Sequence, residues 1–306
     1  MIVALSGGIG GAKLALGLSH VLPSEKLLIV ANTGDDFEHY GLTICPDIDT
    51  LTYTLANLDN PRLGWGRADE SWAFMETLEA LGGEGWFRLG DRDLALHVLR
   101  TKRLRGGETL SAVTDSMRRR FGIGPRILPM SDDPVRTRIC SEEGWIEFQD
   151  WFVRRRAAPA VRAVEFAGAA TARPQPEVLA ALQAGPRAVV ICPSNPFISI
   201  GPILAMPGLR GAVASCGAPV IAVSPIIAGQ AVKGPTAKMF AELGTPPTAA
   251  AVAAHYGALL DGFVMEEGHD ASGIAARVFP AATLMRSLED KVALACTVLA
   301  AAEALR

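Results

Sequence analysis

The chain has 306 residues, 49% of them apolar and 20% charged, with a formal net charge of −3. That length and apolar content suit one large α/β unit or two small domains with a substantial core. The slight acidic balance argues against a general nucleic-acid surface, and the runs Arg118–Arg120 and Arg154–Arg156 read as solvated faces or anion contacts.

The chain opens with a short apolar run, Ile2–Leu5, followed by Ser6-Gly7-Gly8-Ile9-Gly10-Gly11-Ala12-Lys13. This predicts a strand turning into a helix through residues with little or no side chain. Such a turn lets backbone N–H groups approach a phosphate, and the helix N-terminus adds its positive end. The spacing Gly8-x-Gly10-x-x-Lys13 lacks the third glycine of the dinucleotide fingerprint, and no Gly-Lys-Ser/Thr follows. Gly8, Gly10, Gly11 and Lys13 are therefore candidate nucleotide contacts, with a ligand-free tight turn as the alternative.

A helical pattern through Leu14, Leu18 and Val21 leads to a second apolar run, Leu27–Ala31, which makes a right-handed βαβ unit. Next come Asn32-Thr33-Gly34-Asp35-Asp36 and Cys45-Pro46-Asp47-Ile48-Asp49-Thr50. Ligands of parallel sheets sit at the carboxyl ends of the strands. Asp35, Asp36, Asp47 and Asp49, four acids within fifteen positions beside a phosphate cradle, point to Mg²⁺. Helix capping, or a single acid on a dinucleotide ribose, are the competing explanations.

Residues 60–125 are more polar and contain Trp and Arg; they predict a helical insertion, with Leu110, Val113, Met117 and Phe121 at helical spacing and Thr109 as N-cap. Within it, Leu89–His97 holds Asp91, Arg92, Asp93 and His97. Asp93 and His97 stand four apart, which alone reads as a surface pair. Ile127–Leu128 predicts a strand, followed by the rigid polar loop Pro129–Pro134 with Asp132 and Asp133, read equally as a capped turn or a substrate contact. Trp145–Trp151 alternates enough for a strand. Glu177–Ala184 predicts a helix, Ala188–Cys192 and Pro219–Ser224 buried strands, and Thr283–Arg306 a closing helix. The loop after the first of these strands carries Ser194, Asn195 and Ser199, which can hold a phosphate, base or carboxylate. Lys233 and Lys238 flank a Gly-Pro turn and can reach a phosphate.

Several classes are disfavoured. Cys45, Cys140, Cys192, Cys216 and Cys296 form no Cys-x-x-Cys motif, there is no Gly-x-Ser-x-Gly, and only five His occur, so zinc and triad chemistry are not expected. The N-terminus lacks a basic n-region, so a signal peptide is not expected. The uncharged stretches Ala188–Leu209 and Gly211–Val232 are broken by prolines and read as buried strands with loops, not membrane spans. A cytoplasmic location follows. The fold expectation is a Rossmann-like, mostly parallel sheet with helices on both faces and an embedded helical lobe.

These blocks together resemble the 2-phospho-L-lactate transferase family of coenzyme F-420 biosynthesis. The resemblance runs in order through Ser6–Leu14, Asn32–Asp36, Cys45–Thr50, Trp65-Gly66, Leu89–His97, Leu128–Thr137, Phe148–Arg156, Pro193–Leu204, Val223–Ile226 and Gly234–Lys238. It implies a metal-dependent transfer of a phosphorylated three-carbon acid from a guanosine diphosphate-linked form to the ribityl hydroxyl of the deazaflavin alcohol Fo, with GMP leaving. It implies Asp49 first and Asp36 second as catalytic and metal-binding, with Asp47 and Asp35 supporting. It implies Gly8, Gly10, Gly11, Ser194 and Asn195 around the nucleotide, Asp91, Arg92 and His97 at the acceptor or acid, and a homodimer. Asp49→Ala is then expected to abolish transfer with the fold intact. Glu147 stands where the family often has His, and Lys233 precedes Gly-Pro where Ser is common, which leaves phospholactate, phosphoenolpyruvate and phosphoglycerate open as donor acids. A nicotinamide-dependent oxidoreductase and a non-catalytic nucleotide-binding regulator of the same fold are the rival readings.

Overall fold

The computed structural model describes residues 1–227, 230–231 and 234–306. Its centre is a seven-stranded parallel sheet. In chain order the strands are β1 (Ile2–Ser6), β2 (Leu27–Ala31), β3 (Arg126–Pro129), β4 (Ala188–Ile191), β5 (Val220–Val223), β6 (Gly262–Glu266) and β7 (Arg277–Ala281). They lie side by side in the order β7-β6-β5-β4-β1-β2-β3. The strand order reverses at β1, which pairs with β2 on one side and β4 on the other. This Rossmann-like arrangement places its ligand crevice at the carboxyl ends of β1 and β4.

The continuous apolar runs are explained by two cores, one on each face. Val3 and Leu5 of β1 enter one core with Val30, Val189 and Ile191. Ile2 and Ala4 enter the other with Ile29, Val190 and Ile221. Alternate residues of a strand point to opposite faces, so a sheet covered on both needs every position apolar. Helices α1 (Gly8–Val21) and α2 (Pro46–Leu55) and the C-terminal helix, Leu288–Ala304, supply Leu14, Leu18, Ile48, Leu51, Leu294 and Val298 to the second core. Helices Pro176–Gln183 and Ala249–Tyr256 supply Val178, Leu182 and Val252 to the first. No helix of the described residues is long and apolar enough to cross a membrane; β4 and β5, inside the two uncharged stretches, are wholly buried strands.

Between β2 and β3 the chain forms α2, α3 (Ala73–Ala80), α4 (Asp91–Arg105) and α5 (Leu110–Arg120). Thr109 caps α5, its hydroxyl accepting from Ala112 N at 3.2 Å.

Two segments depart from the expected elements. The strand expected over Trp145–Trp151 ends at Glu147, and Asp150–Arg154 forms a wide helical turn. Phe148, Trp151 and Phe152 are spaced three and four apart, and this helical spacing lets Phe148 and Trp151 share a small core with Ile139 and Ile146. The expected helix Thr283–Arg306 begins at Leu288, where Ser287 and Asp290 form a reciprocal capping box. The residues before it follow β7, an edge strand that tolerates Pro280 because no strand of the described residues pairs with its outer side. Lys233 lies outside the described residues. Lys238 bonds Glu242 and the Pro159 carbonyl.

Candidate active site

The β1–α1 turn and the loop after β4 meet at the strand-order reversal, and close packing there dictates glycine. A Cβ on Gly10 would stand 2.2 Å from the Pro193 carbonyl oxygen. One on Gly11 would stand 2.4 Å from Ser6 Oγ and 2.6 Å from Ser194 Oγ, and one on Gly7 would stand 2.6 Å from Ser199 Cβ. Gly8 adopts φ +65°, which a side chain resists even though its Cβ would meet nothing. Gly7 N–H donates to Ser194 Oγ at 3.3 Å, locking the two loops together. Asn195 caps the turn beyond, its Oδ1 accepting from Phe197 N at 2.9 Å and Ile198 N at 3.4 Å.

These loops open onto a cavity of ≈ 670 Å³. Gly8, Gly10, Lys13, Ser194, Asn195 and Ser199 line it; Gly11 does not, and its role is packing. Lys13 Nζ donates to the Met285 carbonyl at 2.9 Å beside the cavity.

The four acids near the turn divide into distinct jobs. Asp47 accepts from Gly8 N–H at 2.6 Å and from Asn32 Nδ2 at 2.9 Å, so it braces the glycine turn. Burial pushes its carboxyl up to about 6, although both donors favour the charged form. Asp35 lines the cavity, and among the described residues its Oδ1 has no hydrogen-bond partner. Burial, with Asp47 beside it, raises its pKa well above the carboxylate range. Asp36 is buried but does not line the cavity; it faces the Cys45 thiol, and burial pushes it up to about 7.

Asp49 faces α4. Arg100 reaches it with both arms of its guanidinium, Nη1 to Oδ2 at 3.0 Å and Nη2 to Oδ1. Arg100 and His97 are each only 1% exposed. Burial alone would lower the Arg100 pKa, and the facing Asp49 carboxylate overrides it and holds the guanidinium charged. His97 Nδ1 lies 3.7 Å from Asp49 Oδ2, and Nε2 lies 3.1 Å from Asp93 Oδ2. Tyr53 donates its hydroxyl to Asp93. Burial works against the Asp93 charge, yet His97 and Tyr53 hold its carboxyl below the ordinary value.

The pair Asp93–His97 is therefore not the surface pair its spacing suggested. Asp93, His97 and Arg100 stand at i, i+4 and i+7 on α4, one face of the helix, and that face is turned inward onto Asp49. Arg100 completes a spacing visible in the sequence, and its signal was there to find.

Asp49, Asp93 and His97 each present a donor atom, all within 4.8 Å of one another. Two carboxylates and an imidazole suit a divalent cation, and the partnerless Asp35 Oδ1 adds an acceptor at the same cavity. The donor set thus fits a metal, with Asp93 and His97 in it; Asp47 is taken up by Gly8 and Asn32, and Asp36 lies off the cavity lining, its Oδ1 without a hydrogen-bond partner among the described residues. The expectation that Asp49→Ala spares the fold also changes, because the substitution strands a buried guanidinium.

The remaining wall is aromatic: Tyr53, Trp65, Trp86, Phe87, Phe148 and Phe152. Phe148 and Phe152 stack at 5.3 Å, and the Arg154 guanidinium lies 4.9 Å over Trp86. These residues come from separate segments, so nothing in their spacing announced them.

Four expected substrate contacts lie away from the cavity. Asp91 caps α3, accepting from Ala73 N at 3.1 Å, Phe74 N at 3.0 Å and the Ser71 hydroxyl at 2.6 Å. Arg92 is exposed, and its backbone N–H donates to Glu70. Asp132 accepts from Ser111 N and Oγ at the start of α5, and Asp133 pairs with Arg173 at 3.0 Å. Asp91 and Asp132 do what helix starts ask of a short acid, and Asp133 holds a surface arginine.

A family model described as 2-phospho-L-lactate transferase CofD matches residues 2–292. A protein of Streptomyces griseus named phosphoenolpyruvate transferase is 43% identical over 318 aligned positions, covering 100% of this chain and 99% of that protein. A Kitasatospora aureofaciens protein of the same name is 45% identical, covering 100% and 98%. Among solved structures, a UPF0052-family protein of Bacillus halodurans superposes with a TM-score of 0.65 at 15% identity, covering 98% of each chain, which shows the fold they share.

Proposed function

Because this chain belongs to the 2-phospho-L-lactate transferase CofD family, we propose that it transfers a phosphorylated three-carbon acid from its guanosine diphosphate-linked form to the ribityl hydroxyl of the deazaflavin Fo. The relatives' shared name favours phosphoenolpyruvate as the acid over phospholactate or phosphoglycerate. The Fo hydroxyl oxygen bonds to the phosphorus that carries the acid, the bridge to the nucleotide phosphate breaks, GMP leaves, and the hydroxyl proton is lost. The product is a phosphodiester.

One observation carries the reading: a single cavity is lined by the glycine turn, the Ser194–Ser199 loop, the Asp49/Asp93/His97 cluster and the aromatic wall. An anionic diphosphate suits the helix end of α1 and the Ser194 and Ser199 hydroxyls. A planar deazaflavin suits Trp65, Trp86 and Phe148. Asp49, Asp93 and His97 would hold Mg²⁺, which when bound neutralises charge on the diphosphate oxygens. Asp49, fixed by Arg100, orients the attacking hydroxyl. Tyr53 steadies Asp93, and Asp47 keeps the glycine turn in shape. Catalysis on this reading is positioning and electrostatics, with no covalent enzyme intermediate. A cytoplasmic homodimer belongs to the same proposal, and sedimentation tests the dimer.

The test is mass spectrometry of a reaction containing the protein, Fo, Mg²⁺ and guanylylated three-carbon acids, with EDTA as control. Metal-dependent appearance of the Fo phosphodiester with GMP supports the transferase. GDP binding without product from any acid overturns it in favour of a regulator, and NAD(H) binding with no GDP response favours an oxidoreductase.

A further inference from the structure

We propose that Arg100 is a positioning residue that weakens divalent-cation binding at Asp49, Asp93 and His97 while it orients Asp49 for transfer. The inference rests on the metal-dependent reading above and names the group that tunes the metal.

Arg100 belongs to the cluster more closely than an ordinary structural arginine would. Its fork takes both oxygens of Asp49, Nη1 also stands 3.4 Å from the Thr43 carbonyl, and the same nitrogen stands 3.4 Å from His97 Nδ1. Arg100 is thus in contact with two of the three donor residues at once. A guanidinium has only protons to offer, so it presents N–H to the His97 ring and favours the lone pair on Nδ1. That leaves the ring proton on Nε2, which faces Asp93. A metal-ligating histidine instead frees one nitrogen and donates the other N–H to an acceptor. Arg100 therefore opposes the tautomer that would offer Nε2 to a cation.

Charge acts in the same direction. Asp49 and Asp93 contribute two negative charges and Arg100 returns one positive charge inside the same buried cluster. A divalent cation bound among these donors faces a fixed positive charge with little water to screen it.

Asp49 gains orientation in exchange. The planar fork fixes the carboxylate in one plane, which a point-charge lysine does not do. A weakly held cation and a rigid carboxylate are separable properties, and two substitutions separate them. Arg100→Gln removes the charge and the fork. Arg100→Lys keeps the charge and loses the fork.

The experiment measures Mn²⁺ affinity by electron paramagnetic resonance of the free ion, without substrates, and steady-state transfer separately. Arg100→Gln is expected to bind Mn²⁺ about tenfold tighter, at the low end of what outer-shell changes do to metal sites, while kcat falls. Arg100→Lys is expected to bind Mn²⁺ within about twofold of the unsubstituted protein and still lose kcat, the size of change that retained charge allows. Unchanged or weaker Mn²⁺ binding in Arg100→Gln overturns the inference, because removing an arginine that merely braces the fold does not tighten a metal. Failure of Arg100→Gln to fold even at saturating Mn²⁺ also overturns it, since the cation then cannot stand in for the lost charge. Absence of Mn²⁺ binding in the unsubstituted protein refutes the metal reading itself, which is a different failure.

Discussion

Gly10 and Gly17 lie two turns apart on α1, and together they test whether the glycine turn is built for a ligand. Adding a Cβ to Gly10 places it 2.2 Å from the Pro193 carbonyl oxygen; adding one to Gly17 places it 2.0 Å from the Lys291 carbonyl oxygen. The contacts must open by about 1.2 Å and about 1.4 Å to reach ordinary van der Waals distance. Both obstacles are backbone, so neither can be relieved by rotating a side chain. Overpacking of this kind costs about 1–3 kcal/mol, which for a chain this long lowers Tm by roughly 2–6 °C. The two alanine variants should therefore lose similar stability in thermal or urea denaturation. They should differ in ligand binding. Gly10→Ala forces the first turn of α1 away from the loop holding Ser194 and Asn195, and calorimetric GDP affinity should fall at least about tenfold, the value of one lost charge-assisted hydrogen bond. Gly17→Ala moves α1 against the C-terminal helix, remote from the cavity, and should bind GDP as the unsubstituted protein does. Equal GDP affinity in both variants would refute the placement of the nucleotide at this turn.

Further outcomes follow from the division of labour among the acids. Asp47→Asn should weaken GDP binding with little change in Mn²⁺ binding, and Asp49→Asn should do the reverse; titration of each ligand separates them. Asp49→Ala should also cost about 3–5 kcal/mol of stability by stranding Arg100 in the interior, read as a lower urea midpoint. Trp86→Ala should raise the KM for Fo roughly tenfold, the worth of one stacking face, and leave GDP affinity alone. Asp133→Asn should leave KM unchanged. Its native pKa is lowered from 3.8 to about 2, first by the Arg173 hydrogen bond, so the stabilisation it gives is full above pH 3.8 and fades as pH falls through about 2. A pH-melting series in which Asp133→Asn and the unsubstituted protein lose stability in parallel over that window would contradict the assignment.

The sheet was legible because burial on both faces leaves a continuous apolar run. Leu27–Ala31 is apolar throughout and forms β2 with the same bounds. The strands β6 and β7 were missed. Asp261, Glu266 and Pro280 interrupt or border their runs, and only the pairing of β6 with β5 and of β7 with β6 makes strands of them. The cavity's glycine and Asn195 loops were legible because turn chemistry is local. Asp91 and Asp132 were ambiguous for the same reason: a short acid looks alike in sequence whether it serves a ligand or a cap. The aromatic wall was invisible because Trp65, Trp86 and Phe148 converge only through the fold. Arg100 was hidden differently. Its spacing from Asp93 and His97 was plain, but α4 also carries Leu94, Val98 and Leu99, and only packing against Asp49 decides which face turns inward.

The segment Cys45–Thr50 explains why the glycine turn and the acid cluster share one cavity. Asp47 and Asp49 are two residues apart in the first turn of α2, about 200° around the helix, so they face opposite neighbours. Asp47 meets Gly8 on α1, and Asp49 meets Arg100 on α4. Pro46 at the first helical position and the favourable charge of two acids at a helix start both stabilise this end of α2. Because Asp47 already takes the Gly8 N–H, the proposed diphosphate is left the N–H groups beyond it in the turn and the Ser194 and Ser199 hydroxyls. That directs the phosphate toward the β4 loop. One helical turn thus fixes the distance between the glycine turn and the Asp49 cluster, and any change that shifts α2 along its axis must disturb both together.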